Sequence, residues 1–254
     1  SASWARWSLA VYLSFATHSL ADFFTVYGTQ IFWPFTNYPF THSILFIVDP
    51  IYTIPLLVAV ISALLMRDRS RAVKINTLML GLSTLYLVWS TGAKSVIDNR
   101  VKTALAINGI STEVYESTPA PLNTLLWRGV AVDDDAYFEI WASIFDDVDQ
   151  IQIQGFPRNE KLISAIVDHP KIESLRWFTK GQYKVWQSDD QIIISDLRMG
   201  VEGAYVYNFE VGLQTDNQTN VGSFQRIQQR LDLGGLKSVW ARIFDPTVNV
   251  SNLN

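Results

Sequence analysis

His18 and Asp22 stand four residues apart near the end of an apolar run from Trp7 to Phe24. On a helix that spacing puts both side chains on one face, a turn apart. An imidazole and a carboxylate so placed can ligate one metal ion or carry a proton, or can hydrogen-bond to each other and hold helices together. No other Asp, Glu, Lys, Arg or His follows Arg6 in that run. Charged groups inside an apolar span are costly, so their default reading is functional. A third acid, Asp49, sits directly before Pro50 in the next apolar run. The residue types alone leave both the metal-site and the buried-pair readings open.

The elements that must position these residues follow from the charge distribution. The chain has 254 residues and a net charge of −4, but residues 1–66 contain only Arg6, Asp22 and Asp49 as charged groups. Residues 95–254 hold 14 Lys and Arg against 21 Asp and Glu, an ordinary acidic soluble balance. The expected fold class is therefore membrane α-helical followed by a soluble α+β domain with an antiparallel sheet. Three spans are expected, near Trp7–Phe24, Ile44–Met66 and Ile75–Ala93, each close to the about 20 residues that cross a bilayer. Pro50 and Pro55 predict a kinked second span. Asn76, Ser83, Thr84 and Ser90 in the third suit helix–helix contact. The uncharged loop from Thr25 to Ser43 carries Tyr27, Phe32, Trp33, Phe35, Tyr38 and Phe40, a composition suited to the headgroup layer.

Between spans two and three, Arg67, Arg69, Arg71 and Lys74 outnumber Asp68. Short basic loops stay cytoplasmic. By alternation the aromatic loop and everything after Lys94 lie outside, and His18, Asp22 and Asp49 fall at the outer ends of their spans. The expected organisation is a membrane domain over 1–94, an amphipathic helix and linker over 95–121, and a periplasmic α+β domain over 122–254.

In the soluble part, Val96, Ile97, Val101 and Leu105 mark an amphipathic helix that ends at Asn108-Gly109. Ser117 to Pro121 reads as an extended linker. Strand-like runs are Trp127–Val132, Tyr137–Phe145, Ile151–Gln154, Leu175–Phe178, Tyr183–Gln187, Gln191–Asp196 and Tyr205–Val211, with hairpin turns at Asp133–Asp135 and Ser188–Asp190. Helices are predicted over Asn159–Val167, Phe224–Leu231 and Leu236–Ile243.

Other signals are weaker. Asp133-Asp134-Asp135 suits a solvated hairpin tip better than a cation site. His169 before Pro170 reads as a cap, and His42 as an interfacial residue. Asn217-Gln218-Thr219 and Asn249-Val250-Ser251 match the glycosylation pattern. The absence of cysteine excludes disulfides and thiolate metal sites. No basic patch argues for nucleic acid, and no phosphate loop, nucleophile elbow or His-Glu-x-x-His helix is present. The first residue is Ser, with no signal-peptide pattern, so the chain reads as processed or as a fragment that begins mid-protein.

The run Ala16-Thr17-His18 through Asp22 and on through Tyr27-Gly28-Thr29-Gln30-Ile31-Phe32-Trp33-Pro34-Phe35 resembles the YdjM-like family of bacterial membrane-bound metal-dependent hydrolases. So do Ile47-Val48-Asp49-Pro50-Ile51-Tyr52, the third span, and the soluble segments Trp177-Phe178-Thr179-Lys180-Gly181 and Asp196-Leu197-Arg198-Met199-Gly200. The resemblance implies a multi-pass inner-membrane protein, distantly like zinc-dependent phospholipase C. His18 and Asp22 match the family's metal motif Thr-His-x-x-x-Asp, and Asp49 its Asp-Pro, which makes Asp49 the candidate catalytic residue. Family members also begin with further spans that carry a His-Arg-x-x-Ser/Thr-His-Ser motif, which this chain lacks. The remaining metal ligands are expected there.

The expected function is thus a metal-dependent hydrolase at the periplasmic face. It would bind a divalent metal, zinc by the nitrogen and oxygen donors available, and act on a phosphoester or lipid-like amphiphile. Membrane lipid is the expected partner. A non-catalytic envelope scaffold and a proton-coupled transporter are the alternatives.

Overall fold

The computed structural model describes residues 3–112, 114–215, 218–227 and 236–250. They divide into two compact units, residues 1–96 with 118–125 and residues 97–117 with 126–254.

The first unit holds helix α1 (Trp4–Phe23), helix α2 (Pro50–Leu65) and the first part of α3 (Arg69–Ile107). Each start has a local cause. Asp49 caps α2, its Oδ1 accepting from the Ile51 and Tyr52 amides at 3.0 and 3.2 Å, and Pro50 fills the first helical position, where no amide donor is needed. Asp68 does the same for α3, accepting from the Ser70 and Arg71 amides. The second apolar run therefore becomes helical only from Pro50, not from Ile44, and its helix continues through Pro55.

Among the described residues, α3 alone is long and apolar enough to cross a membrane. α2 has 16 residues, and α1 has the length but is diluted by Ser, Thr, His18 and Asp22. The expected third span and amphipathic helix are one 39-residue helix, because a change from apolar to mixed sequence at Lys94 does not interrupt backbone hydrogen bonding.

α2 and α3 run antiparallel through small and polar contacts. Asn76 Nδ2 donates to the Ala59 carbonyl and Ser62 Oγ, Ser83 Oγ to the Tyr52 carbonyl, and Ser90 Oγ to the Ile44 carbonyl. Thr84 instead bonds back to Leu80 within its own helix. The buried residues on these faces are Ala59, Ser62, Ala72, Ser83, Ser90 and Ala93, while Leu57, Leu64, Leu78, Leu80, Leu82 and Leu85 point outward. Small residues inside and leucines outside is the packing of helices in hydrocarbon rather than in water.

Apart from the last two residues of β1, which belong to the first unit, the second unit contains an antiparallel sheet β1 (Val114–Pro119), β2 (Leu126–Val132), β3 (Ala136–Ser143), β4 (Gln152–Pro157) in that order. A second antiparallel sheet runs β5 (Tyr183–Ser188), β6 (Gln191–Asp196), β7 (Asn208–Thr215), β8 (Gln218–Val221), with β9 (Arg226–Ile227) also pairing β7. Both expected hairpins form. In the second, Val185 faces Ile194 and Gln187 faces Ile192, which puts the alternating apolar residues on one face. A 3-10 helix (Glu160–Ile166) stands where a helix was expected, and α4 (Pro170–Phe178) packs with it over that face through Ile163, Ile166 and Ile172.

Four expectations change. Leu175–Phe178 is the end of α4 rather than a strand, since the His169 cap and Pro170 start a helix upstream. Ser117–Pro119 belongs to β1 rather than to a linker. Phe224–Ile227 is not helical: Phe224 has a φ of 59°, and Arg226 and Ile227 pair with β7; the rest of that predicted helix lies outside the described residues. On the amphipathic part of α3, Ile97, Val101 and Leu105 are buried, but Val96 is exposed. Asn108-Gly109 does end the helix, with Gly109 at a φ of 67°. The two glycosylation patterns include Asn217 and Ser251, which lie outside the described residues.

Helix α5 (Leu236–Arg242) is fastened to the first sheet by a buried ion pair. Arg242 donates to both oxygens of Asp146, at 3.0 and 2.6 Å, and to the carbonyls of Trp141 and Gln150. Burial and the Glu160 carboxylate push the Tyr183 phenol up to about 12, so this core tyrosine stays neutral. Removing one partner of a buried pair leaves the other uncompensated, so Arg242→Ala should destabilise the second unit by about 3–5 kcal/mol in chemical denaturation. Arg242→Lys should recover only part of that, lacking the two-pronged donor. A loss below about 1 kcal/mol, the level of an exposed pair, would contradict this account.

Candidate functional site

The structure brings His18 and Asp22 together as the four-residue spacing requires. His18 Nε2 lies 3.5 Å from Asp22 Oδ2, on the last turns of α1, with side chains 76% and 47% exposed. That separation is long for a hydrogen bond. It matches two ligands of one tetrahedral metal: donors about 2.0–2.2 Å from zinc stand about 3.3–3.6 Å apart. The spacing is compatible with a shared metal ion and equally with an exposed contact between residues one helical turn apart. Among the described residues no group of three His, Asp or Glu is placed to hold a metal ion, so Asp49 does not join the pair in such a group.

Asp49 is buried and occupied elsewhere. Beyond its two cap bonds at Oδ1, its Oδ2 accepts from the Tyr86 hydroxyl of α3 at 2.8 Å. Tyr86 in turn accepts from Thr124 Oγ1 at 3.1 Å, and Thr124 accepts from Trp89 Nε1 at 3.2 Å. The chain Trp89–Thr124–Tyr86–Asp49 has a donor at every step and ends on a carboxylate at the positive end of α2. It binds segment 118–125 to α2 and α3. Sequence reasoning missed Tyr86 and Thr124; the signal was a tyrosine inside an apolar span, whose hydroxyl needs a partner when buried.

The end of α1 is held by the loop that follows it. The His42 amide donates to the Phe23 carbonyl at 2.7 Å, and the His42 ring stacks on Phe23. The Ile44 and Leu45 amides both donate to the Phe24 carbonyl at 2.9 Å. Because Ser90 of α3 holds the Ile44 carbonyl, the His18–Asp22 end of α1 is tied to α3 by hydrogen bonds. In the second unit, His169 caps α4 and stacks on Phe224, and the Asp133–Asp135 tip closes on itself, the Asp133 carboxylate accepting from the Asp135 amide.

Residues 1–95 match the family model of the YdjM inner membrane protein. Over those residues the chain is similar to that family. The YdjM-like stretch ends one residue before the first unit's continuous part ends, and it contains His18, Asp22 and Asp49. No curated protein and no solved structure matches the chain.

If Tyr86 and Asp49 act through their direct bond, their substitutions are coupled. Tyr86→Phe should cost about 1–3 kcal/mol in detergent unfolding, the range for leaving a buried charged acceptor short of a donor. The double variant with Asp49→Ala should cost clearly less than the two single losses added together. Strict additivity would contradict the bond.

Proposed function

We propose that this chain is part of an inner-membrane, metal-dependent hydrolase whose metal is held by His18 and Asp22 at the periplasmic face. The observation that carries this reading is the pair itself: an imidazole nitrogen and a carboxylate oxygen 3.5 Å apart and open to a ligand at the end of an apolar helix. One nitrogen and one oxygen donor without thiolate suit zinc. A metal bound there would supply an acidified water and polarise a scissile phosphoester or ester. His18 would supply a neutral nitrogen lone pair, and Asp22 an anionic oxygen that lowers the net charge of the site. The helix fixes their relative geometry, and the Phe23 and Phe24 backbone bonds hold that helix end in place. Remaining positions would be completed by substrate oxygen, water or ligands from another polypeptide segment. A site at the end of a membrane helix favours an amphiphilic substrate.

A second reading, a non-catalytic envelope scaffold, draws support from the lack of a third ligand among the described residues. The surroundings of Asp49 favour an anchoring role over proton carriage or catalysis, because both of its oxygens are engaged by donors.

Metal analysis of purified protein separates the two readings. The hydrolase reading expects about one zinc per chain, lost in His18→Ala and in Asp22→Asn while both variants stay folded and membrane-inserted. Wild-type protein that never copurifies with metal, together with a destabilised His18→Ala variant, would favour the scaffold. For orientation, the basic turn at Arg67–Lys74 predicts a cytoplasmic turn and a periplasmic C-terminal unit. A C-terminal alkaline phosphatase fusion should then be active and a C-terminal green fluorescent fusion dark; the reverse pattern would put the site on the wrong side.

A further inference from the structure

The loop between α1 and α2 is built to hold an apolar tip rigidly. Its stem is closed by Thr29 and Phe40, which exchange both backbone bonds at 2.9 and 3.0 Å. Gly28 lies in the stem at a φ of 70°, where a Cβ would stand 2.1 Å from the Phe40 carbonyl oxygen, so the strands can close only over glycine. At the tip, the Trp33 and Phe35 amides donate to the carbonyls of Gln30 and Phe32 at 3.0 and 2.9 Å, and Gln30 Nε2 donates to the Asn37 carbonyl at 2.8 Å. Phe40 sits edge-on to both Phe32 and Tyr38.

This scaffold presents Ile31, Phe32, Trp33, Phe35 and Tyr38 to the outside, with Trp33 70% and Phe35 93% exposed. No Asp, Glu, Lys or Arg occurs between Asp22 and Asp49. A water-facing surface rarely carries a continuous apolar patch of this kind. The polar residues around the tip, Gln30, Thr36 and Asn37, are all uncharged, so nothing there offers a protein partner the charge complementarity that fixes register. The helices on either side of it also turn apolar side chains outward, among them Phe15 and Leu20 of α1 and Ile51 and Ile54 of α2. The occupant that fits an uncharged, aromatic, ordered tip between two such helices is lipid at the level where Trp and Tyr collect.

We propose that the Ile31–Phe35 tip is an interfacial anchor embedded at the headgroup–acyl boundary of the bilayer. The anchor does not depend on metal binding at His18 and Asp22. Because His42, Ile44 and Leu45, just beyond the stem, are bonded to Phe23 and Phe24, it also fixes the end of α1 at that level.

The chain has no cysteine, so Phe35→Cys and Ile31→Cys each accept a single nitroxide label. The Phe35 side chain is nearly free of packing, and Ile31 offers an independent position if one variant inserts poorly. Labelled full chain is reconstituted in vesicles of phosphatidylethanolamine and phosphatidylglycerol, and collisions with oxygen are compared with those of a water-soluble nickel chelate. The anchor predicts oxygen in excess over nickel at both positions, with the label about 5–10 Å into the boundary. Asp134→Cys, at an exposed hairpin tip, supplies the aqueous reference. Nickel in excess at both loop positions would overturn the proposal by placing the tip in water. Neither collider reaching them would overturn it by placing the tip against protein.

Discussion

The carboxylate of Asp49 is the interaction on which the membrane unit depends. A charge buried in an apolar environment is tolerated only when donors surround it, and here two amides and a tyrosine hydroxyl do so. That one residue sets where α2 begins, fixes α2 against α3 and, through Tyr86 and Thr124, gathers segment 118–125 into the same unit. His18 and Asp22 are its opposite: open, separated by more than a good hydrogen bond, and oriented outward. One acid is used up by the architecture, while the exposed pair stays open to a ligand.

The two units solve burial in opposite ways. Between α2 and α3 of the first, serine, alanine and asparagine face inward and the helices' leucines face out, because close backbone approach and interhelical hydrogen bonds replace a hydrophobic driving force that hydrocarbon cannot supply. In the second, large apolar residues fill the cores, and buried charges occur with fixed partners: Arg128 with Glu139, Arg198 with Asp196, Arg242 with Asp146. The YdjM-like match ends close to where this change of regime occurs.

Much of this was legible in the sequence where the determinants are local. The His18–Asp22 pairing follows from a four-residue period, and the hairpins at Asp133–Asp135 and Ser188–Asp190 from turn residues between alternating runs. What was not legible depends on neighbours or distance. Leu175–Phe178 alone looks like a strand, but the cap that makes it helical stands six residues before it at His169. The apolar stretch from Ile44 looks like the start of a span, yet Asp49 caps the helix five residues later. Lys94 looks like the end of a helix because composition changes there, while backbone geometry does not. The Asp49–Tyr86 bond joins residues 37 apart, beyond the reach of any local pattern.

The central claim is that His18 and Asp22 are metal ligands. Zinc-edge X-ray absorption on the full protein loaded with one equivalent of zinc tests it most directly. Ligation by His18 predicts outer-shell imidazole scattering that weakens in His18→Gln. The other two histidines, His42 and His169, are unchanged in that variant. An imidazole signal unchanged by the substitution, or zinc that does not bind to the wild-type protein, would contradict it.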